Sequence, residues 1–213
     1  MREFEYVSRK EAAPHKENLI NLIKAVQKEV KPYFTFRFDF IGSSSRNMIT
    51  REVNGNIGYD FDLNIEPNNP EEEYSAEQIH SLIFEAFQKH KGKYGYSKIE
   101  NSTSVITIKA VDKVNSRIEH SCDIAIVCNC GNGQQQYIRC YKGWRLSYRW
   151  EYRDKAYDID EKLQWIEENR LKQHLRDQYL INKGRNNNPE KHSRTIFAET
   201  VNNIYNEYRN RRK

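Results

Sequence analysis

The pattern YDFDLNI at residues 59–65 constrains this chain more than any other stretch. Tyr59, Phe61, Leu63 and Ile65 alternate around Asp60 and Asp62. Side chains two apart on a strand share a face, so the apolar four pack one way while both carboxylates emerge together on the other. Like charges that close repel, and a cation between them relieves the repulsion. In phosphoryl-transfer sites that cation is usually magnesium, held by carboxylates and substrate phosphates. Upstream, FTFRFDF at residues 34–40 alternates as strictly, with Phe34, Phe36, Phe38 and Phe40 on one side and Thr35, Arg37 and Asp39 on the other. It runs into Gly42 and Ser43, where a turn leaves consecutive backbone N–H groups free to cradle an anion.

With 213 residues the chain is expected to form one domain, or one domain with an appendage, and it is long enough to bury a real core. Its apolar runs are too short to span a bilayer, and the first eighteen residues lack the apolar segment of a signal peptide, so a cytoplasmic protein with no membrane partner is expected. Cys122, Cys128, Cys130 and Cys140 are too few for a secreted disulfide scaffold of this length and fit reduced thiols. The formal charge of +5 suits a polyanion such as a nucleoside triphosphate, although much of the excess sits in the closing RNRRK.

Around this centre, residues 17–30 predict an amphipathic helix with Leu19, Leu22, Ile23, Val26 and Val30 on one stripe, stopping before Pro32. Residues 42–58 are polar and rich in Gly, Asn and Ser, which predicts turn or a short helix. Pro67 and Pro70 are expected to end the strand at residues 59–65. Ser75 and Gln78 form a capping box for a helix carrying Ile79, Leu82, Ile83, Ala86 and Phe87. A Gly/Lys/Tyr loop follows, then strands at residues 104–111 and 120–128, the second planting Asp123 among apolar neighbours. Residues 134–153 hold one or two more strands. Beyond Asp158 a helical stripe of Leu163, Ile166, Leu171, Leu175 and Tyr179 is broken by NKGRNNNPEK. Ser193 is expected to cap a last helix with Ile196, Phe197, Val201, Ile204 and Tyr208 inward.

A strand ending in Gly42-Ser43, a strand bearing Asp60-Phe61-Asp62 and a later strand bearing Asp123 form an ordered pattern. It resembles the DNA polymerase beta-like nucleotidyltransferase superfamily over residues 17–127, and within it the oligoadenylate-synthase and bacterial cyclic-oligonucleotide synthase (CD-NTase) branch. The resemblance implies an α/β fold: a mixed, twisted sheet of four to five strands flanked by helices. A catalytic core at residues 1–157 would be followed by a helical part at residues 158–213 that closes a nucleotide cleft. It also implies a magnesium-dependent enzyme that moves a nucleoside monophosphate from a nucleoside triphosphate to a hydroxyl on a nucleotide, RNA or protein, with pyrophosphate released. The product implied is a short or cyclic oligonucleotide signal.

Two Mg²⁺ ions, about 3.5–4 Å apart and replaceable by Mn²⁺, neutralise charge on the in-line transition state in such enzymes. By the resemblance Asp60 and Asp62 would hold the nucleotide-side ion and, with Asp123, the second. Gly42 would let the backbone approach the triphosphate, and Ser43 would donate to a terminal phosphate. The loop departs from some relatives in lacking a later Gly-Thr, and sixteen residues separate Ser43 from Asp60.

Other chemistries compete for the same residues. Asp60, Asp62, Asn64 and Glu71 sit at calcium-loop offsets, but Ile65 stands where the sharp turn needs glycine, and Pro67 and Pro70 interrupt. His120 with the four cysteines suggests zinc, at spacings that fit poorly. The glutamines at 134–136 and the Tyr/Trp/Arg-rich stretch at 141–153 suit base stacking or sheet packing. Lys172 and Arg176 could meet triphosphate oxygens or simply line a solvated helix face. The remaining alternatives are a non-catalytic nucleotide binder on the same scaffold and a basic RNA- or DNA-binding module.

Overall fold

In the computed structural model, residues 2–69, 72–131, 133–153, 159–188 and 191–210 are described. Residue contacts divide the chain into two units. One comprises Tyr6–Arg51 and Gly55–Arg153, and the other Met1–Glu5, Glu52–Asn54 and Asp154–Lys213. The expected boundary at residues 157 and 158, like Pro70, Glu71 and the last three residues of RNRRK, lies outside the described residues.

In chain order the elements are β1 (Phe4–Tyr6), α1 (Arg9–Val30), β2 (Thr35–Ile41), α2 (Gly42–Arg46), β3 (Thr50–Glu52), β4 (Ile57–Asn68), α3 (Ala76–His90) and β5 (Lys98–Asn101). There follow β6 (Ile106–Asp112), β7 (Arg117–Asn129), β8 (Gln135–Lys142), β9 (Leu146–Tyr152), α4 (Ile159–Glu168), α5 (Lys172–Arg185) and α6 (Ser193–Asn210). The main sheet runs β2-β4-β7-β6-β5, and the β8-β9 hairpin joins it through β7, making seven strands. Only β4 and β7 are parallel in this sheet; the other pairings are antiparallel. β1 and β3 pair separately. The mixed α/β class is as expected, and the hairpin takes the sheet past the expected five strands.

One face of the sheet is the core. Leu19, Leu22, Ile23 and Val26 of α1 and Ile79, Ile83 and Phe87 of α3 are fully buried with Phe61, Leu63 and Ile65 of β4 and Cys122 and Ile124 of β7. Each such side chain stabilises the fold by about 1.5–3 kcal/mol through removal from water. The Ser75–Gln78 capping box forms in both directions at the start of α3.

Several boundaries differ from the sequence expectation. α1 starts at Arg9, eight residues early, because Ser8 caps it by accepting from the Glu11 N–H at 3.2 Å. Pro14 lies in its second turn, where the missing N–H forgoes one hydrogen bond without breaking the helix. β4 runs through Pro67, which pairs with Phe36 of β2. Its pairing to β7 has ended at Ile65, so the proline meets no ladder on that side. β5 is a short charged edge strand that the sequence did not signal. The stripe after Asp158 is split into α4 and α5 by Arg170, which has φ 59°. α5 continues through Gly184 to Arg185.

α4, α5 and α6 pack together through Trp165 on Tyr205, ring centroids 5.1 Å apart, and Tyr179 on Phe197, 5.4 Å apart. Ser193 is the first residue of α6 itself, with the His192 carbonyl accepting from Thr195. No helix among the described residues is long and apolar enough to cross a membrane.

Candidate active site

The sheet face opposite the core carries the charges. Parallel pairing sets Asp62 beside Asp123 and Asp60 beside Ser121, and β6 adds Thr107 on the far side of Asp123. Partnered residues on adjacent strands share a face, so register alone brings together three carboxylates distant in sequence. Asp60 is exposed, while Asp62 and Asp123 are half-buried. None of the three makes an ion pair among the described residues. Each takes a hydroxyl instead: Ser121 donates to Asp60, Thr107 donates to Asp123 at 2.6 Å, and Ser43 stands 3.4 Å from Asp62 Oδ2.

Burial pushes the Asp62 carboxyl up to about 6, helped by repulsion from Asp123 and Asp60 and opposed by the Ser43 hydroxyl and N–H. Asp123 is raised by burial and by Asp60, while Thr107 and Lys109 pull it down. Ionising the whole set is therefore costly without added positive charge.

β2 ends next to this face, with Ile41 paired to Asp62. The turn that follows is the five-residue α2, not an open loop. Gly42 has φ +61°, and a Cβ on it would stand 2.8 Å from Asp62 Oδ2, so both backbone conformation and space require glycine here. The Ser44 hydroxyl accepts from the Asp62 N–H at 3.0 Å and ties the turn to β4. Gly42 and Ser43 thus come together with the carboxylates, with Ser43 turned onto Asp62.

Three hydroxyl residues, Ser44, Ser121 and Thr107, were not anticipated. Ser121 had a signal, since Ser121 and Asp123 repeat the two-residue spacing of Asp60 and Asp62. Thr107 is identified only by cross-strand register.

A divalent ion is the cation this face would take. The donors are all oxygen, the type that hard ions such as Mg²⁺ prefer. Two residues past Asp62 on the same face, the buried Asn64 Oδ1 has no hydrogen-bond partner. The donor chemistry fits. The side chains are not gathered around a point, however: among the described residues no three His, Cys, Asp or Glu side chains form a group able to hold a metal. Nor do His120 and the cysteines gather among the described residues: Cys122 and Cys140 are buried while Cys130 is exposed.

No protein-family model matches the chain, and no curated protein matches its sequence. Solved structures do. Vibrio cholerae DncV with 3'-deoxy ATP superposes with a TM-score of 0.57 at 18% identity, covering 94% of this chain and 53% of DncV. Escherichia coli DncV with 3'-deoxy GTP gives 0.56 at 18% identity, over 94% and 54%. The Bradyrhizobium diazoefficiens CD-NTase CdnG with GTP gives 0.51 at 15%, over 73% and 42%. The chain thus spans about half the length of these structures. The likeness is one of fold: the chain shares the fold of DncV and of the CD-NTase CdnG.

Proposed function

We propose that this chain is the catalytic core of a Mg²⁺-dependent nucleotidyltransferase that transfers a nucleoside monophosphate from a nucleoside triphosphate to a hydroxyl, building a short or cyclic oligonucleotide. The pairing of Asp62 with Asp123, next to Asp60 and the Gly42 bend and with no ion pair to any of the three among the described residues, carries the proposal. In the reaction the acceptor oxygen forms a bond to the α-phosphorus, the bond from that phosphorus to the pyrophosphate oxygen breaks, and the hydroxyl loses its proton. Asp60, Asp62 and Asp123 would hold the divalent ions, leaving their present hydroxyl partners to do so. Those ions supply neutralisation of the phosphoryl oxygens and a lowered pKa for the attacking hydroxyl. Asp123 could also accept the departing proton, a role secondary to holding the ions. Gly42 lets the turn close onto Asp62, and Ser43, held to Asp62 only at 3.4 Å, can turn its hydroxyl to a phosphate.

Support comes from what the similar structures hold. DncV has been solved with GTP and with the linear intermediate 5' pppA(3',5')pG, and CdnG with GTP. Four free thiols agree with action in the cytoplasm. The test is pyrophosphate release from each of the four ribonucleoside triphosphates with Mg²⁺ or Mn²⁺. Release from at least one, abolished by a chelator, is expected. No release from any of them, with or without RNA or protein acceptors, would overturn the proposal.

A further inference from the structure

The β8-β9 hairpin carries a second polar surface that the proposed reaction does not use. Val127 of β7 pairs with Tyr137 of β8, so Tyr137 stands on the sheet face that also carries Asp123. Alternation continues that face to Arg139 and Tyr141, while Ile138 and Cys140 turn into the core. Across the hairpin Arg139 is opposite Arg149, Tyr141 opposite Ser147 and Tyr137 opposite Glu151. Four residues along β7 separate Asp123 from Val127, about 13 Å of strand. Carboxylates and hairpin belong to the same unit.

This face is a ladder of rings and guanidinium groups. Arg139 and Arg149 lie over the Tyr141 ring at 5.5 and 5.8 Å, and Arg153 lies over Tyr137 at 5.5 Å. Glu151 pairs with Arg139 at 2.9 Å and is the hairpin's single carboxylate, against Arg139, Lys142, Arg145, Arg149 and Arg153. Arg149 makes no ion pair among the described residues. Like charges directly opposite each other on paired strands destabilise a sheet. The Arg139–Arg149 pair carries that cost, and a bound phosphate between the two guanidinium groups would remove it. Tyr137 and Tyr141 lie about 13 Å apart on one strand and offer separate platforms for bases, the combination with which single strands are held.

We propose that this Arg-Tyr face binds a single-stranded oligonucleotide, its bases on Tyr137 and Tyr141 and its phosphates on Arg139 and Arg149. As acceptor or product of the reaction above, that strand would run along the sheet face toward Asp123; this role rests on the nucleotidyltransferase proposal, whereas the binding does not.

The test is fluorescence anisotropy of labelled twelve-nucleotide oligo(A) and oligo(U) with the full chain in a chelator, so that binding is read apart from turnover. Single strands are expected to bind more tightly than a duplex of the same length, with affinity falling steeply as salt rises. Tyr141→Ser and Arg149→Ser should each weaken binding about 5- to 150-fold, the range for losing one stacked base or its cation partner. Tyr141→Phe should keep it within about twofold. Unchanged circular dichroism melting of the variants ties any loss to the surface. Equal binding of duplex, or Tyr141→Ser binding like the parent, would overturn the inference. Pyrophosphate release without oligonucleotide binding overturns it and leaves the enzyme proposal standing; binding without release from any triphosphate does the reverse.

Discussion

β4 and β7 present two faces of opposite character, one residue out of step. On one side Tyr59, Phe61, His120 and Cys122 are buried; on the other lie Asp60, Asp62, Ser121 and Asp123. The buried side packs ring against ring, and the buried His120 Nδ1 is left without a hydrogen-bond partner. The His15 and His120 rings stack at 4.1 Å, and His15 Nδ1 meets the Tyr59 hydroxyl at 2.6 Å. The other side gathers carboxylates with hydroxyl partners, and the cation nearby, Lys109, is paired to Glu100 rather than to them. Burial acts on both and moves the titrations in opposite directions, His120 down to about 4 and Asp62 up to about 6. The same strands thus hold the fold together on one surface and store unbalanced charge on the other, and the charged surface is the one that a ligand can improve.

Substitutions one residue apart should separate the two roles. Asp123→Asn is expected to cut pyrophosphate release by more than the roughly 10–100-fold typical of losing an outer partner of a metal ligand, with no loss of thermal stability. Phe61→Ala, on the fully buried side, should lose about 3–5 kcal/mol in denaturant melts while the folded fraction keeps its turnover. Reversed outcomes would break the comparison. Gly42→Ala tests the junction: left-handed backbone costs about 1–2 kcal/mol with a Cβ, and contact with Asp62 Oδ2 adds to it, so stability and activity should fall together.

A smaller effect concerns acid. His120 binds protons more weakly folded than unfolded, so its contribution to stability is complete above about pH 6.5 and is lost as pH falls toward about 4. His120→Phe should flatten the fall of Tm across that window, and a variant melting curve parallel to the parent's would contradict it.

Much of this was legible in the sequence, for physical reasons. Alternation in residues 34–40 and 59–65 gave strands and faces together, since one face had to be apolar. The Ser75–Gln78 box marked the start of α3 because its two hydrogen bonds are local. Long-range pairing was not legible. Thr107 and Ser121 became partners of the acids only once β6, β7 and β4 were in register. The continuation of the acidic face onto the Arg-Tyr hairpin likewise depends on one short ladder, Val127 with Tyr137. Local signals misled where tertiary context outweighed them: Pro67 stays in β4 because its neighbour has already peeled away, and Pro14 stays in α1 because a buried stripe holds the helix.

In the proposed site Asp60, Asp62 and Asp123 share one field that a divalent cation would satisfy. Carboxyl ¹³C NMR of Asp62 tests it most directly. Its folded pKa is raised, so folding favours the protonated form, and the metal-free protein should lose stability as pH rises from about 4 through about 6. A titration midpoint near 6 without metal, moved clearly downward by millimolar Mg²⁺, is the predicted result. A midpoint at the ordinary aspartate value of about 3.9, unmoved by Mg²⁺, would contradict the account.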